Sequence, residues 1–370
     1  MPPSFPAPLS LVRLALVSAA AASALIPTSA RAQERRDEMP VTPVLADSVA
    51  LGAADAVATK YVFVQKGEDA ARLVRRGVRA GRYRSLATAS ALTDSLTADL
   101  RRSSGDPHLQ VVFSIRERTA PPGGGVSAAD VARDREAAAW RNYGFHQVER
   151  LDGNVGYLEL GRFDDPELAG STLATAMSFL AGTDALIIDL RGNGGGHAGM
   201  VALVASYFFP ESTLLTTLHH RDPADVAQLW TAPHVAGPRY VGKPVYVLVS
   251  GRTFSAAEAL AYHLQTHHLA TVVGEKTRGG ANPGGWQMIG THFGVFVPTA
   301  YNEAAATHGN WEGVGITPDV AATFAEAKKV AHRAALAGLL ARQAGSDRAQ
   351  RWREALDELR ADEARAAARD

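Results

Sequence analysis

There is no cysteine in this 370-residue chain. Its absence excludes disulfides, thiolate metal sites, a cysteine nucleophile and a lipid-modified cysteine at an export site. Net charge is missing too. Thirty-eight Lys and Arg face 38 Asp and Glu, so nothing draws the chain to nucleic acid or to an anionic membrane. Beyond the N-terminus no apolar run is long enough to span a bilayer. No internal repeat is visible. What remains is an ordinary globular balance, 46% hydrophobic and 21% charged, in a chain long enough to bury a real core.

The N-terminus reads as a targeting segment. Arg13 precedes the apolar run LALVSAAAASALIP, and TSARA follows, with Ala30 and Ala32 at the small-residue positions of a cleavage site. This is the layout of a secretory signal peptide over residues 1–32. The expectation is cleavage near Ala32 and a mature chain that is exported, to the periplasm or the extracellular space, without a membrane span. Residues 33–44 are a charged, proline-bearing leader.

Downstream, the periodicity divides the chain. Leu51, Ala54, Val57 and Tyr61 recur at helical spacing, and further helices are expected over about Gly67–Arg79 and Leu86–Arg102. A strand follows from His108 to Phe113, closing a helical domain at 45–118. TAPPGGGV, Thr119–Val126, is a flexible break, and with a short helix over Ala128–Trp140 it forms a linker at 119–141. From 142 to 321 strands and helices alternate. Strands are expected at Val155–Leu160, Ala185–Leu190, Val245–Val249, Thr271–Val273, Gly285–Ile289 and Val295–Val297. Helices are expected at Ser171–Leu180, Met200–Phe209 and Ser255–His267. The continuous apolar run ALIIDL marks a strand buried on both faces, and the alternation argues an α/β core. Two Ala/Leu/Arg-rich helices, about Phe324–Gln343 and Arg348–Ala367, make a tail at 322–370 with evenly mixed charge.

Three segments of the α/β half carry chemistry. In LIIDLRGNGGGHAG a buried strand runs into Gly192, Gly194, Gly195 and Gly196, which leave backbone N–H groups facing outward. A dinucleotide fingerprint needs glycine where His197 stands, and a phosphate loop needs Lys-Ser/Thr after the glycines. Both are absent, so an oxyanion hole leads over a phosphate cradle. In VYVLVSGRTFSAAEALA, Ser255 stands where a strand-turn gives way to a helix, a place that suits either an N-cap or an exposed nucleophile. Its flanks Thr253 and Ala257 are not the glycines of an α/β-hydrolase elbow. In HGNWEGVGITPDV, Glu312 precedes a Gly-Val-Gly turn. His263 and His267 have the i, i+4 spacing of two zinc ligands, but Leu264 stands where the zincin glutamate belongs, so no metal and no cofactor is expected. His197 lies beside the glycine turn, and Trp286 and Trp311 are read as core residues near the site.

Together these segments resemble the tail-specific, or C-terminal processing, serine protease family: DLRGNGGG, SGRTFSAAEALA, VVGEKTRGGA and EGVGITPD occur in its order. KYVFV, Gly81-Arg82-Tyr83, SGDPHLQV, NYGF and GNVGYLEL are similar to the tricorn-like branch that includes interphotoreceptor retinoid-binding protein. The resemblance implies a crotonase/Clp protease-like α/β core with a helical N-terminal domain, a helical C-terminal tail and no PDZ domain. It implies Ser255 as nucleophile. The processing-protease branch takes its base from a lysine in a segment like GERTFGKG; aligned on GEKTRGGA, that position holds Gly280, and Lys276 lies four residues earlier. The tricorn-like pattern instead puts the base at His108 and a supporting carboxylate, near the nucleophile, at Glu312. The serine before that histidine is replaced by Pro107, leaving Asp106 to orient the ring. Gly194 or Gly195, with Ala256, would supply the oxyanion amides. The activity implied is hydrolysis of polypeptides by an exported serine peptidase. A non-catalytic binding protein for an apolar ligand, on the same fold, is the rival, and a hydrolase of small esters or amides a second one. The oligomeric state stays open.

Overall fold

The computed structural model describes residues 38–117, 127–343 and 345–367. The segment read as a signal peptide, residues 33–37 of the leader and the glycine-rich break at 119–126 lie outside the described residues. From Met39 onward the chain makes one compact unit.

Three helices come first: α1 (Pro43–Lys60), α2 (Val64–Arg79) and α3 (Ala89–Ser104). Local chemistry sets their ends. Thr42 accepts the Leu45 N–H and Thr88 accepts the Ala91 N–H, and Gly105 closes α3 in the left-handed conformation. Strand β1 (Gln110–Phe113) begins two residues later than His108, which stands in the turn before it. Helix α4 is Ala128–Trp140.

The central sheet explains the rest of the pattern. Its strands are β2 (Phe145–Leu151), β3 (Val155–Leu160), β4 (Ala185–Asp189), β7 (Val245–Val249), β8 (Thr271–Gly274) and β12 (Val320–Ala321). They lie in the order β12-β8-β7-β4-β3-β2, parallel except for the hairpin β2–β3. Alternate residues feed two cores, as a period of two requires. Leu158, Leu186, Ile188, Val247 and Val249 face α5 (Pro166–Leu180), α6 (Ala198–Ala205) and α7 (Ala256–Thr266). Tyr157, Ile187, Tyr246 and Leu248 face α8 (Ala327–Arg342) and α9 (Ala349–Ala367). The tail helices are therefore the cover of the second face of the sheet, and this is why ALIID is buried throughout.

Two small sheets flank this core. Strands β5 (Leu214–His220), β6 (Val226–Trp230) and β11 (Ala300–Ala304) form one, in the order β11-β5-β6; their part-polar alternation hides them in the sequence. The other, β1-β10-β9, joins β1 to β9 (Gly284–Ile289) and β10 (Phe293–Pro298), with Gln110 opposite Phe296. Phe293, Val295 and Val297 sit in the same core as Val57, Val74, Leu92 and Leu100 of the first three helices. A hairpin expected to belong with the α/β half thus packs on the N-terminal helices and draws the turn holding His108 to the rest of the molecule. No helix among the described residues is long and apolar enough to cross a membrane.

Candidate active site

The turns that follow β3, β4, β7 and β8 gather at one edge of the sheet, the carboxyl ends of its parallel strands. That is where open α/β sheets place their ligands, because crossover helices start there and leave a crevice. Hydrogen bonds lace these turns together. Asn193 is fully buried; its Nδ2 donates to Leu160 O and its carbonyl oxygen accepts from the Phe254 N–H. Thr253 Oγ1 donates to Leu190 O, and Ser250 Oγ to Arg191 O.

Ser255 sits on this scaffold with φ 55° and ψ −121°. It is the N-cap residue of α7, but an ordinary capping serine has extended backbone angles, so capping alone does not account for this conformation. Positive φ at a non-glycine costs on the order of 1–3 kcal/mol and persists only where the surroundings over-determine it. Here they do. Glu258, fully buried, accepts the Ser255 N–H at 2.9 Å and the N–H groups of Gly279 and Gly280 at 2.7 and 2.8 Å, and Thr277 Oγ1 donates to it as well. One carboxylate thereby clamps the serine turn to the segment after β8. Burial raises the Glu258 carboxyl, and these hydrogen bonds oppose the rise. Sequence reasoning passed over Glu258, although Ser-x-x-Glu at a helix start is the capping-box spacing that makes such a reach possible.

Against Ser255 lies the glycine turn. Gly195 has φ +106°, and a Cβ there would stand 2.9 Å from Ser255 Cβ and 3.1 Å from Ala256 N. Only glycine leaves space in front of that amide. Gly195's own N–H, however, donates to Asn193 Oδ1 at 2.8 Å. It is committed to holding the turn and drops out of the pair of candidate oxyanion donors, leaving Gly194 with Ala256. His197 caps α6 through Nδ1, which accepts the Gly199 N–H.

His108 is buried at 5% exposure, its ring 4.4 Å from Phe254, the residue before the serine, and 5.8 Å from Phe296 of β10. Neither ring nitrogen has a hydrogen-bond partner, so no bond joins His108 to the Ser255 hydroxyl in this state. Its Nδ1 lies 3.7 Å from Asp106 Oδ1 and 4.0 Å from Glu312 Oε2. Asp106 also accepts the His108 backbone N–H and the Tyr61 hydroxyl, both at 2.8 Å. Burial alone would raise the Asp106 carboxyl; the nearby His108 ring, the His108 backbone N–H and the Tyr61 hydroxyl outweigh it and hold the group below its ordinary value. Glu312 Oε2 accepts the Ala281 and Asn282 N–H groups, at 2.6 and 3.0 Å, while Oε1 is buried without a partner. Burial, then the charge of Asp106, pushes Glu312 up to about 7. The charged neighbours of Glu312 are thus His108 and Asp106.

Gly280 is the residue that the resemblance aligns with the processing-protease lysine, and the space beside it is taken. A Cβ there would lie 2.2 Å from the Phe254 ring and 2.5 Å from His108 Cε1. Lys276 is exposed. A cavity of about 60 Å³ opens beside Ser255, lined by Val201, Leu218, Leu229, Ala259 and Trp311 among others. His263 also lines it, and burial, with the charge of His267, pushes its imidazole down to about 3, so it is neutral. Trp311 is buried there, as the sequence implied, and donates Nε1–H to Gly280 O at 2.9 Å. Trp286, read as a core residue, is instead 46% exposed, resting its ring edge on Phe296.

A strained serine at a parallel-sheet edge, a glycine cradle beside its following amide and a buried histidine-carboxylate group define a hydrolase-type site. Residues 154–322 match the family described as peptidase family S41, and residues 45–136 match the N-terminal domain of Peptidase_S41 in eukaryotic IRBP. Together the two matches cover well over half of the sequence, and the chain belongs to peptidase family S41. It is 33% identical over 168 residues to a carboxyl-terminal-processing protease of Synechocystis sp., covering 45% of this chain and 37% of that one. A carboxy-terminal-processing protease of Bartonella bacilliformis is 30% identical over 178 residues, 46% and 39% of the two chains. The chain thus spans about two fifths of the length of these curated relatives. In fold it is similar to mature CPAF, with TM-score 0.53 and 13% identity over 80% of this chain and 99% of that one. A lipoprotein from Streptococcus agalactiae gives TM-score 0.53 and 12% identity over 81% and 98%.

Proposed function

We propose that this protein is a serine peptidase that hydrolyses polypeptides with Ser255 as nucleophile, His108 as base and Glu312 as the carboxylate behind the base. The observation that carries the reading is the packing around Gly280. The space a lysine base would need is filled by the His108 and Phe254 rings, so the base comes from the N-terminal segment.

The chemistry then runs through the chain's own groups. Nδ1 of His108 faces the two carboxylates, which leaves Nε2 to take the Ser255 proton as Oγ attacks the peptide carbonyl. Glu312, once ionised, stabilises the imidazolium, and Asp106 anchors the His108 backbone. The Ala256 and Gly194 amides hold the tetrahedral oxyanion, each donor contributing roughly 3 kcal/mol. His108 then returns the proton to the leaving amine, and water completes the cycle by hydrolysing the acyl-enzyme. Apo sites often hold such pairs apart, and substrate binding draws them to hydrogen-bond distance. The small neutral cavity beside Ser255 suits a small apolar side chain at the cleaved bond. Export after cleavage near Ala32 belongs to the same proposal and rests on the signal-peptide layout of residues 1–32.

The test pairs Ser255→Ala with His108→Ala. Both should abolish peptide hydrolysis and labelling by a fluorophosphonate probe to a similar degree, because members of one catalytic unit fail together. Circular dichroism and thermal melting should show Ser255→Ala folded. Turnover like that of the parent in a folded Ser255→Ala chain would remove the central claim.

A further inference from the structure

Asp106, His108 and Glu312 do more than surround one proton. Each offers a ligand atom, and these atoms all lie within 4.8 Å of one another. The two His108 Nδ1 separations, 3.7 and 4.0 Å, are close to the roughly 3.3 Å between ligand atoms of a tetrahedral zinc with bonds of about 2.0–2.1 Å. Small closing movements of side chains would complete that geometry.

The outer contacts are those of a metal site as well. Asp106 is held from behind by the Tyr61 hydroxyl and the His108 backbone N–H; Glu312 is held by two successive backbone N–H groups. Such second contacts fix ligand orientation. Three atoms inside the cluster, both His108 ring nitrogens and Glu312 Oε1, are buried and have no hydrogen-bond partner. His108 is buried, at 5% exposure, with its Nδ1 facing both carboxylates.

We infer that Asp106, His108 and Glu312 form a binding site for one zinc-type divalent ion, and that the ion switches the peptidase off. The inhibitory half rests on the role proposed for His108. Imidazole coordinated through Nδ1 must carry its proton on Nε2 if it is to stay neutral. Nε2 then has no lone pair to receive the Ser255 proton. The metal would inhibit by fixing the wrong tautomer, without touching the serine.

Titration calorimetry of zinc chloride into the full-length Ser255→Ala chain reads the site without turnover. One zinc per chain is expected, with affinity reduced more than about tenfold by adding Glu312→Gln. His219→Ala, a surface histidine change, should leave binding intact. Cobalt(II) gives a readout that needs no ligand variant: the parent chain should develop the visible absorption of a four-coordinate N/O site, displaced by zinc. In the Ser255 chain, zinc should suppress peptide hydrolysis and fluorophosphonate labelling together, with recovery on chelation. Absence of stoichiometric binding, or equal affinity in Glu312→Gln, overturns the site. Binding with undiminished labelling overturns the tautomer lock. If the parent chain proves to hydrolyse nothing, the function reading fails separately, and calorimetry and the cobalt spectrum still decide the site.

Discussion

Glu312→Gln is the substitution in which structure predicts opposite effects on two observables. The carboxyl goes from 4.5 in the unfolded chain to about 7 in the folded one. A carboxyl raised on folding stabilises the protonated state: its contribution is full below 4.5 and is lost as pH rises through 7. Above that window, ionised Glu312 costs the fold at most about 3 kcal/mol, from about 1.4 kcal/mol for each pH unit of displacement. Glutamine keeps the shape and can accept the Ala281 and Asn282 N–H groups through its carbonyl, but it carries no charge to bury beside Asp106. Chemical denaturation should show Glu312→Gln more stable than the parent by about 1–3 kcal/mol near pH 8, with the gap closing near pH 5. Catalysis should move the other way. The ionised carboxylate supports the imidazolium, so kcat/KM of the parent should rise with pH through an apparent value near 7, and Glu312→Gln should lose both that limb and most of the rate. The pairing of a stability gain with an activity loss is what distinguishes a functional carboxylate from a structural one. A variant less stable than the parent at about pH 8, or a pH–rate profile unchanged by the substitution, would refute the reasoning.

Three further outcomes follow from packing. Lys276→Ala should keep most of its peptidase activity, since Lys276 is exposed and Gly280 holds the dyad position; a loss comparable to Ser255→Ala in steady-state kinetics would restore a lysine mechanism. Gly280→Ala should cut kcat/KM by about a hundredfold or more, because its methyl group meets the Phe254 and His108 rings and a displacement of the order of 1 Å carries that cost; a fully active, folded variant would mean that the His108 position is irrelevant. Leu336→Ala, on α8 against the second face of the sheet, should lower unfolding free energy by about 2–5 kcal/mol in urea titration; a change within error would show that the tail helices are not part of the fold's core.

Local patterns carried much of this protein in advance. ALIID and VYVLV announce strands buried on both faces because only apolar runs survive between two helical layers. Glycines around 192–196 and the serine at a strand-to-helix turn mark a backbone that must bend sharply, which is a property of residue type and order. His108 entered by resemblance, since nothing in its own neighbourhood separates a base from a residue opening a strand. Tertiary structure alone decided the rest. β1 pairs with β10, nearly two hundred residues away, and that pairing carries His108 onto Phe254; no local periodicity encodes a partner so distant. Glu258 became the clamp of the serine turn through N–H groups 21 and 22 residues ahead of it, and Gly195 lost its free amide to a side chain two residues back. The raised carboxyl of Glu312 has the same origin. Its acidity is set by burial and by Asp106, a neighbour that exists only once the chain has closed.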